Sequence, residues 1–337
     1  MKHIDFIGKK KYFFAFSIGL TIIGLLANIF MGTKMDVMFV GGSLVTYSHT
    51  GEIDAGKLES DIEGIVGMDI SISENRTLAT VEVDGQQVSK KSITITFSGK
   101  EAVSPESFDG IEKLLTESYK ENNFAFVESK SVGSMIGATF FAKSLYAVLL
   151  AFVLMNIYIA FRFRKIGGWS AGFFAIIALL HDVVIVYFSF VFFRMPLDDN
   201  FIAVVLAILG YSINDNIVIY DRIRENRRLL GTKVSYAELV NLSINQSLTR
   251  SISITFAVFI SLIVVTIVAW IYGLYSIITF SLPMSVGVLF GAYSSICLAG
   301  PMWVMWKESV EKRAVAKKEK LKAMAKNKGK AKKAKAK

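Results

Sequence analysis

Trp169–Phe193 reads WSAGFFAIIALLHDVVIVYFSFVFF, and its only ionisable pair, His181–Asp182, sits at the middle. A bilayer core takes roughly 20 apolar residues per helical span, so length alone makes this stretch a membrane helix. Soluble chains space their apolar residues at helix or strand period. Here they run nearly unbroken, and outward from this block lie five more of the same kind. These are Phe13–Met31, Leu145–Phe161, Phe201–Tyr220, Ile252–Tyr272 and Phe280–Trp306. The chain reads as a polytopic α-helical membrane protein with six transmembrane helices, the first over 12–31 and five in a block over 140–306. The first block follows Lys9, Lys10 and Lys11, but it is too long for a removable signal peptide and lacks a clear small-x-small cleavage site. It reads as an uncleaved span.

Charge gives the orientation. The net charge is +10 over 337 residues, yet 32–139 carries nine Lys/Arg against seventeen Asp/Glu, a net of −8. The basic residues gather in 2–11, 162–165, 222–250 and after Lys307. Short Lys/Arg-rich segments stay in the cytoplasm. Six spans put all four on one side, with residues 1–11 and the tail 307–337 cytoplasmic and the acidic segment outside. The tail holds fourteen Lys/Arg and three Glu. It cannot build a core and is expected to be disordered and to rest on anionic lipid. Contact with ribosomal RNA or a nascent-chain machine is its other reading.

Segment 32–139 is too long for a loop without structure. Gly42–Tyr47, Asp69–Ile72, Ala79–Val83, Lys91–Ser98 and Phe124–Glu128 read as strands, and Asp54–Val66 and Pro105–Tyr119 as helices. Ser104 is placed to cap the second helix and Pro105 suits its first position. The order is β-α-β-β-α-β with room for an extra hairpin, an extracytoplasmic α+β domain of ferredoxin-like type.

An ionisable residue inside a bilayer is a functional candidate by default. Asp182 with His181 offers a helix–helix hydrogen bond or a proton relay. In the stretch 210–215, Ser212 and Tyr211 are three and four residues before Asp215 and share a face with it. Asp215 lies seven residues before Arg222, about 10 Å deep at 1.5 Å per residue, where a carboxylate can take and release a proton or sit as a neutralised structural anchor. Arg250 opens the fifth span as a snorkelling anchor or as the cation facing Asp215; such a pair, opening and closing, makes a proton switch. The mixed-charge run 221–228 is a topology anchor or a gate. Cys297 is a buried apolar side chain. No phosphate-binding glycine loop, catalytic triad or metal-spaced histidine set is present. This points away from an enzyme and from any cofactor, toward an ion gradient as the energy source.

Several motifs carry a resemblance. They are 209–215 running on to 220–226, then 242–250, 178–183, 157–163 and 291–296. With these the chain resembles the SecF subunits of bacterial protein export, in the SecD/SecF family of the RND superfamily. The family's Asp-Phe-x-Gly-Gly signature appears here as Asp36–Val37–Met38–Phe39–Val40–Gly41–Gly42, with Met38 where Asp is expected. The resemblance implies a multi-pass protein of the bacterial cytoplasmic membrane that pairs with SecD beside the SecYEG channel. It would pull unfolded exported polypeptide outward by proton flow coupled to movement of the outer domain. YajC and the YidC insertase are further implied neighbours. The implied proton path is Asp215 and Arg250, with Ser212, Asn214 and Gln246 close by and Asp182 added from the residues themselves. An RND-type exporter half, or a structural channel partner without ion coupling, are the alternatives.

Overall fold

The computed structural model describes residues 4–68, 70–83, 86–98, 105–132, 134–231 and 234–335. In chain order the elements are α1 (Lys10–Met31), α2 (Val37–Val40), β1 (Gly42–His49), α3 (Ala55–Val66), β2 (Ile70–Val83), β3 (Gln86–Ser98), α4 (Pro105–Glu117) and β4 (Ala125–Val132). They continue as α5 (Ser134–Arg162), α6 (Gly168–Phe192), α7 (Asp199–Leu230), α8 (Tyr236–Ile271), α9 (Tyr275–Ser294) and α10 (Gly300–Lys335). A π-helical turn, Ser295–Ala299, joins α9 to α10. Among the described residues, six helical stretches are long and apolar enough to cross a membrane: α1, α5, α6, α7, α8 and the continuous α9–α10.

The inserted domain between α1 and α5 forms a four-stranded antiparallel sheet of order β2-β3-β1-β4. The two short strands expected at 69–72 and 79–83 form one long strand, β2, Asp69 lying outside the described residues. Its register against β3 shifts between Arg76 and Thr80, where the two expected strands part. Asp54 starts α3 by accepting hydrogen bonds from the backbone N–H groups of Gly56 (3.1 Å) and Lys57 (3.2 Å), and Gly67 ends it at a left-handed φ of 69°. Ser104 lies outside the described residues; Pro105 is the first helical residue of α4. Leu58 and Ile62 of α3 and Ile111 and Leu115 of α4, each pair one turn apart, are buried against Val45, Tyr47, Ile93, Ile95 and Phe97 of the sheet.

In the helical block, α6, α7 and α9 are the most buried and α1 and α8 the least. Bare glycines bring the inner helices together: a Cβ at Gly287 of α9 would strike Ile208 of α7 and Val186 of α6. Backbone N–H groups of Ile4 and Phe6 donate to Asn245 and Asn241 of α8 (2.9 and 2.8 Å), fixing the N-terminal segment at the end where α8 begins. The α5–α6 turn and the start of α10 share that end. The inserted domain caps the opposite end, where Met35 and Leu197 form a short bridge.

The tail departs from expectation. Instead of an unstructured chain, α10 continues to Lys335. Ala, Lys, Glu and Met favour helix, and a helix already nucleated in the membrane adds residues without repeating the nucleation cost. Its side chains are exposed from Glu308 to Glu319 apart from the half-covered Glu308, so propensity and not packing holds it.

Candidate functional site

Helix α7 carries two polar clusters on two sides. On the first, Ser212 is fully buried and its hydroxyl donates to Asp182 Oδ2 at 2.7 Å. Ser294 of α9 donates to the same oxygen at 2.8 Å, and His181 Nδ1 lies 3.4 Å from Oδ1. One turn along α7, Asn216 donates to the Ser295 hydroxyl at 2.9 Å and to the Ser212 carbonyl at 3.1 Å. Adjacent residues on an α-helix point about 100° apart. The π turn lets Ser294 and Ser295 serve neighbouring parts of one cluster. Pro301 follows two residues after the turn; its ring has no N–H to give to the carbonyl four residues back, which suits a widened turn there.

On the second side, Asp215 is only 3% exposed, and among the described residues its Oδ2 meets no donor at full hydrogen-bond geometry. Ser251 Oγ on α8 is likewise buried, and its hydroxyl approaches the Asp215 carboxyl loosely, acting on its charge as a hydrogen bond without reaching full hydrogen-bond geometry. Ser251 and Arg250, consecutive on α8, are the side chains that bear on the Asp215 charge. On the same side, the Tyr211 hydroxyl donates to Thr255 of α8 at 3.1 Å.

The structure therefore sorts the residues singled out in the sequence. Asp182 and Ser212 meet directly; Asp215 stands apart, toward α8. Arg250 is exposed, and among the described residues no salt bridge joins it to Asp215. Asn214 is exposed on the outside of the bundle. Gln246 is exposed and belongs to a third group near the end of the span. Its Oε1 accepts from Arg222 Nε (2.7 Å) and Asn226 Nδ2 (2.8 Å), and Asn226 also reaches Ser243 (2.9 Å). The sequence reading missed Asn216, Ser251, Ser294 and Ser295 as partners. Asn216 sits four residues after Ser212, a spacing that could have found it. Among the described residues no three His, Cys, Asp or Glu converge as metal ligands would.

The two carboxylates are chemically unlike. Both Asp182 oxygens have neighbouring donors, so it ties α6, α7 and α9 together. Asp215 has an oxygen left over, in a place shielded from solvent, with the exposed Arg250 guanidinium acting on its charge.

At the other end of the bundle, a cleft of about 820 Å³ opens between the sheet and the α6–α7 turn, lined among others by Glu59, Glu63, Glu74, Asp198 and Asp199. Asp198 caps α7, accepting from the Phe201 N–H at 3.2 Å. Burial is the main cause that pushes its carboxyl up to about 6, with Asp199 and Asp36 adding to it.

Six apolar helices around buried carboxylates, with a small domain inserted after the first, define an integral membrane protein of the transport type. A family profile described as protein export membrane protein SecD/SecF, C-terminal, matches residues 111–309, and the chain belongs to that family. It is similar to the protein translocase subunit SecDF of Bacillus subtilis, 32% identical over 90% of this chain and 38% of that protein. It is also similar to the protein translocase subunit SecF of Helicobacter pylori, 31% identical over 84% of this chain and 80% of that one. The crystal structure of SecDF from Thermus thermophilus, a translocon-associated membrane protein, superposes with a TM-score of 0.72 at 28% identity, over 91% of this chain and 39% of that one. The chain thus spans about two-fifths of the SecDF proteins it matches and most of a SecF. These relatives and the six helices make it a multi-pass protein of the bacterial inner membrane.

Proposed function

We propose that this chain is a SecF-type subunit that assists protein export through the Sec channel, driven by proton movement and acting with a SecD partner. The observation that carries the proposal is Asp215: a carboxylate buried at membrane depth, one oxygen short of a full hydrogen bond among the described residues, beside Ser251 and within electrostatic reach of Arg250. Such a group can change protonation without dismantling the bundle, whereas Asp182 cannot.

A partner is supported by what this chain leaves open. Asn214 and Arg250 are exposed at membrane depth, and α8 presents Ile252, Phe256, Ile260 and Val264 outward. Polar groups facing hydrocarbon are costly, so a second helical bundle laid on α7 and α8 would cover them. SecD fits that place, since the matched SecDF proteins join a longer segment to a region like this one. The SecYEG channel, YajC and YidC remain partners implied by family. The inserted domain, with its β-α-β-β-α-β order, is assigned the ferredoxin-like type and the outer side of the membrane; both termini are assigned to the cytoplasm. In this reading the acidic outer cleft gathers protons, and the domain moves on exported polypeptide.

The test is reconstitution with SecD in vesicles under an imposed pH gradient. Asp215→Asn is expected to reduce proton flux at least tenfold while the subunits still assemble. Equal flux in parent and variant would remove the proposed coupling.

A further inference from the structure

We propose that the cleft between the α5–α6 turn and the end of α7 binds the phosphate head group of an anionic phospholipid. The proposal depends on the membrane placement of the six helices and not on proton coupling.

The cleft holds about 800 Å³, and its walls include Arg162, Arg164, Arg224, Arg227 and Arg228. Two carboxylates share it, Asp221 and Glu225. Both are already engaged. Asp221 Oδ1 takes Arg162 at 3.1 Å and Arg224 at 2.6 Å, and Glu225 takes Arg222 at 2.6 Å. Among the described residues Arg164, Arg227 and Arg228 have no carboxylate partner. Three guanidinium groups thus line one cavity without a carboxylate; Arg227 rests over the Tyr236 ring at 4.8 Å and reaches the Val234 carbonyl at 3.5 Å, which leaves Arg164 and Arg228 as the cations freest to meet an anion. The planar fork of each suits two phosphate oxygens.

The wall facing the membrane indicates that the anion carries acyl chains. Arg164 stacks over the Phe161 ring at 4.4 Å, and Phe161 is 69% exposed. From Phe161 an exposed apolar stripe climbs α5 through Tyr158, Ile157, Leu154 and Leu150, at helical spacing along one face. A head group in the cleft would send its chains along this stripe. Basic pockets between helix ends are the kind of place where such lipids lodge. A free phosphate would gain nothing from the stripe, and an acidic protein segment would have to enter along the head-group layer.

The full chain in detergent is incubated with equimolar phosphatidylglycerol and phosphatidylcholine of identical acyl chains, and retained lipid is counted by native mass spectrometry. The unmodified protein is expected to retain phosphatidylglycerol about tenfold over phosphatidylcholine. Arg164→Gln and Arg228→Gln, both exposed and outside any ion pair, are each expected to lower retention about fivefold. A chain ending at Glu311 is expected to keep it, since the cleft and not the basic tail holds the lipid. Equal retention of the two lipids by the unmodified protein overturns the proposal even if both variants fail to fold. So does unchanged retention in both variants, or loss on removing the tail alone. Displacement by equimolar inorganic phosphate would assign the cleft to a free anion, and displacement by poly-glutamate to a protein segment; either result overturns the lipid assignment.

Discussion

Asp182 and Asp215 lie one membrane helix apart and answer substitution differently. Asp182→Ala would remove the shortest acceptor of the Ser212 and Ser294 hydroxyls and leave them the Gly291 carbonyl at 3.5 and 3.1 Å, so the loss is about 1 kcal/mol for each hydrogen bond rather than that of an unsatisfied donor. It should lower the thermal midpoint in detergent by several degrees, and Asp182→Asn by less, because the amide oxygen still accepts. Asp215→Asn should leave that midpoint within a degree or so while lowering proton flux at least tenfold. Asp198 gives a pH-dependent case outside the spans. Its folded value, about 6, exceeds the ordinary 3.8, so the folded state holds the proton more tightly. The stability it contributes is present below pH 3.8 and lost as pH rises through 6. Asp198→Asn should therefore melt higher than the parent at pH 8 and equally at pH 4, as read by thermal shift. The sequence exposed the carboxylates but not their division of labour. Ser212 and Asp215 share a face by spacing, yet three residues leave them about 60° apart. With α6 and α9 on one flank of α7 and α8 on the other, that angle sends them to different neighbours.

The helices themselves were plain in the hydropathy, but their ends were not. α8 begins at Tyr236, well before the apolar block at Ile252, because its first turns are polar and recognisable only by local chemistry. Ser235 and Glu238 close a reciprocal cap there: the Ser235 hydroxyl accepts from the Glu238 N–H at 3.2 Å, and Glu238 accepts from the Ser235 N–H at 3.3 Å. Ser235→Ala should cost about 1 kcal/mol and speed amide exchange in the first turn of α8, measurable by mass spectrometry. The π turn was illegible because one wider turn inside a continuous apolar block leaves no mark in hydropathy. Likewise the split register of β2 appeared in the sequence as two strands, since a pairing irregularity looks like a break when the partner strand is not known.

At the scale of the whole molecule, the inserted domain carries its own pH response. His49 is 1% exposed, with neither ring nitrogen in a hydrogen bond of full geometry among the described residues, the Thr50 backbone close enough to act on it, Glu74 3.9 Å away and Lys91 held by Glu74 at 3.4 Å. Burial pushes its imidazole below the usual 6.5, more than Glu74 pulls it up. The stability linked to it is present above pH 6.5 and lost as pH falls through the lower folded value. Acidifying from pH 7.5 to 5.5 should loosen β1 and β3 by hydrogen exchange, and His49→Gln should flatten that dependence.

The unbroken rod of α10 runs past Trp306 for 29 residues, to Lys335, about 43 Å at 1.5 Å per residue. Leaning the last span by about 10° would sweep the far end through about 7 Å, by the same helix geometry. Small rearrangements beside the π turn would thus be magnified into a displacement large enough for another body at the membrane surface to register.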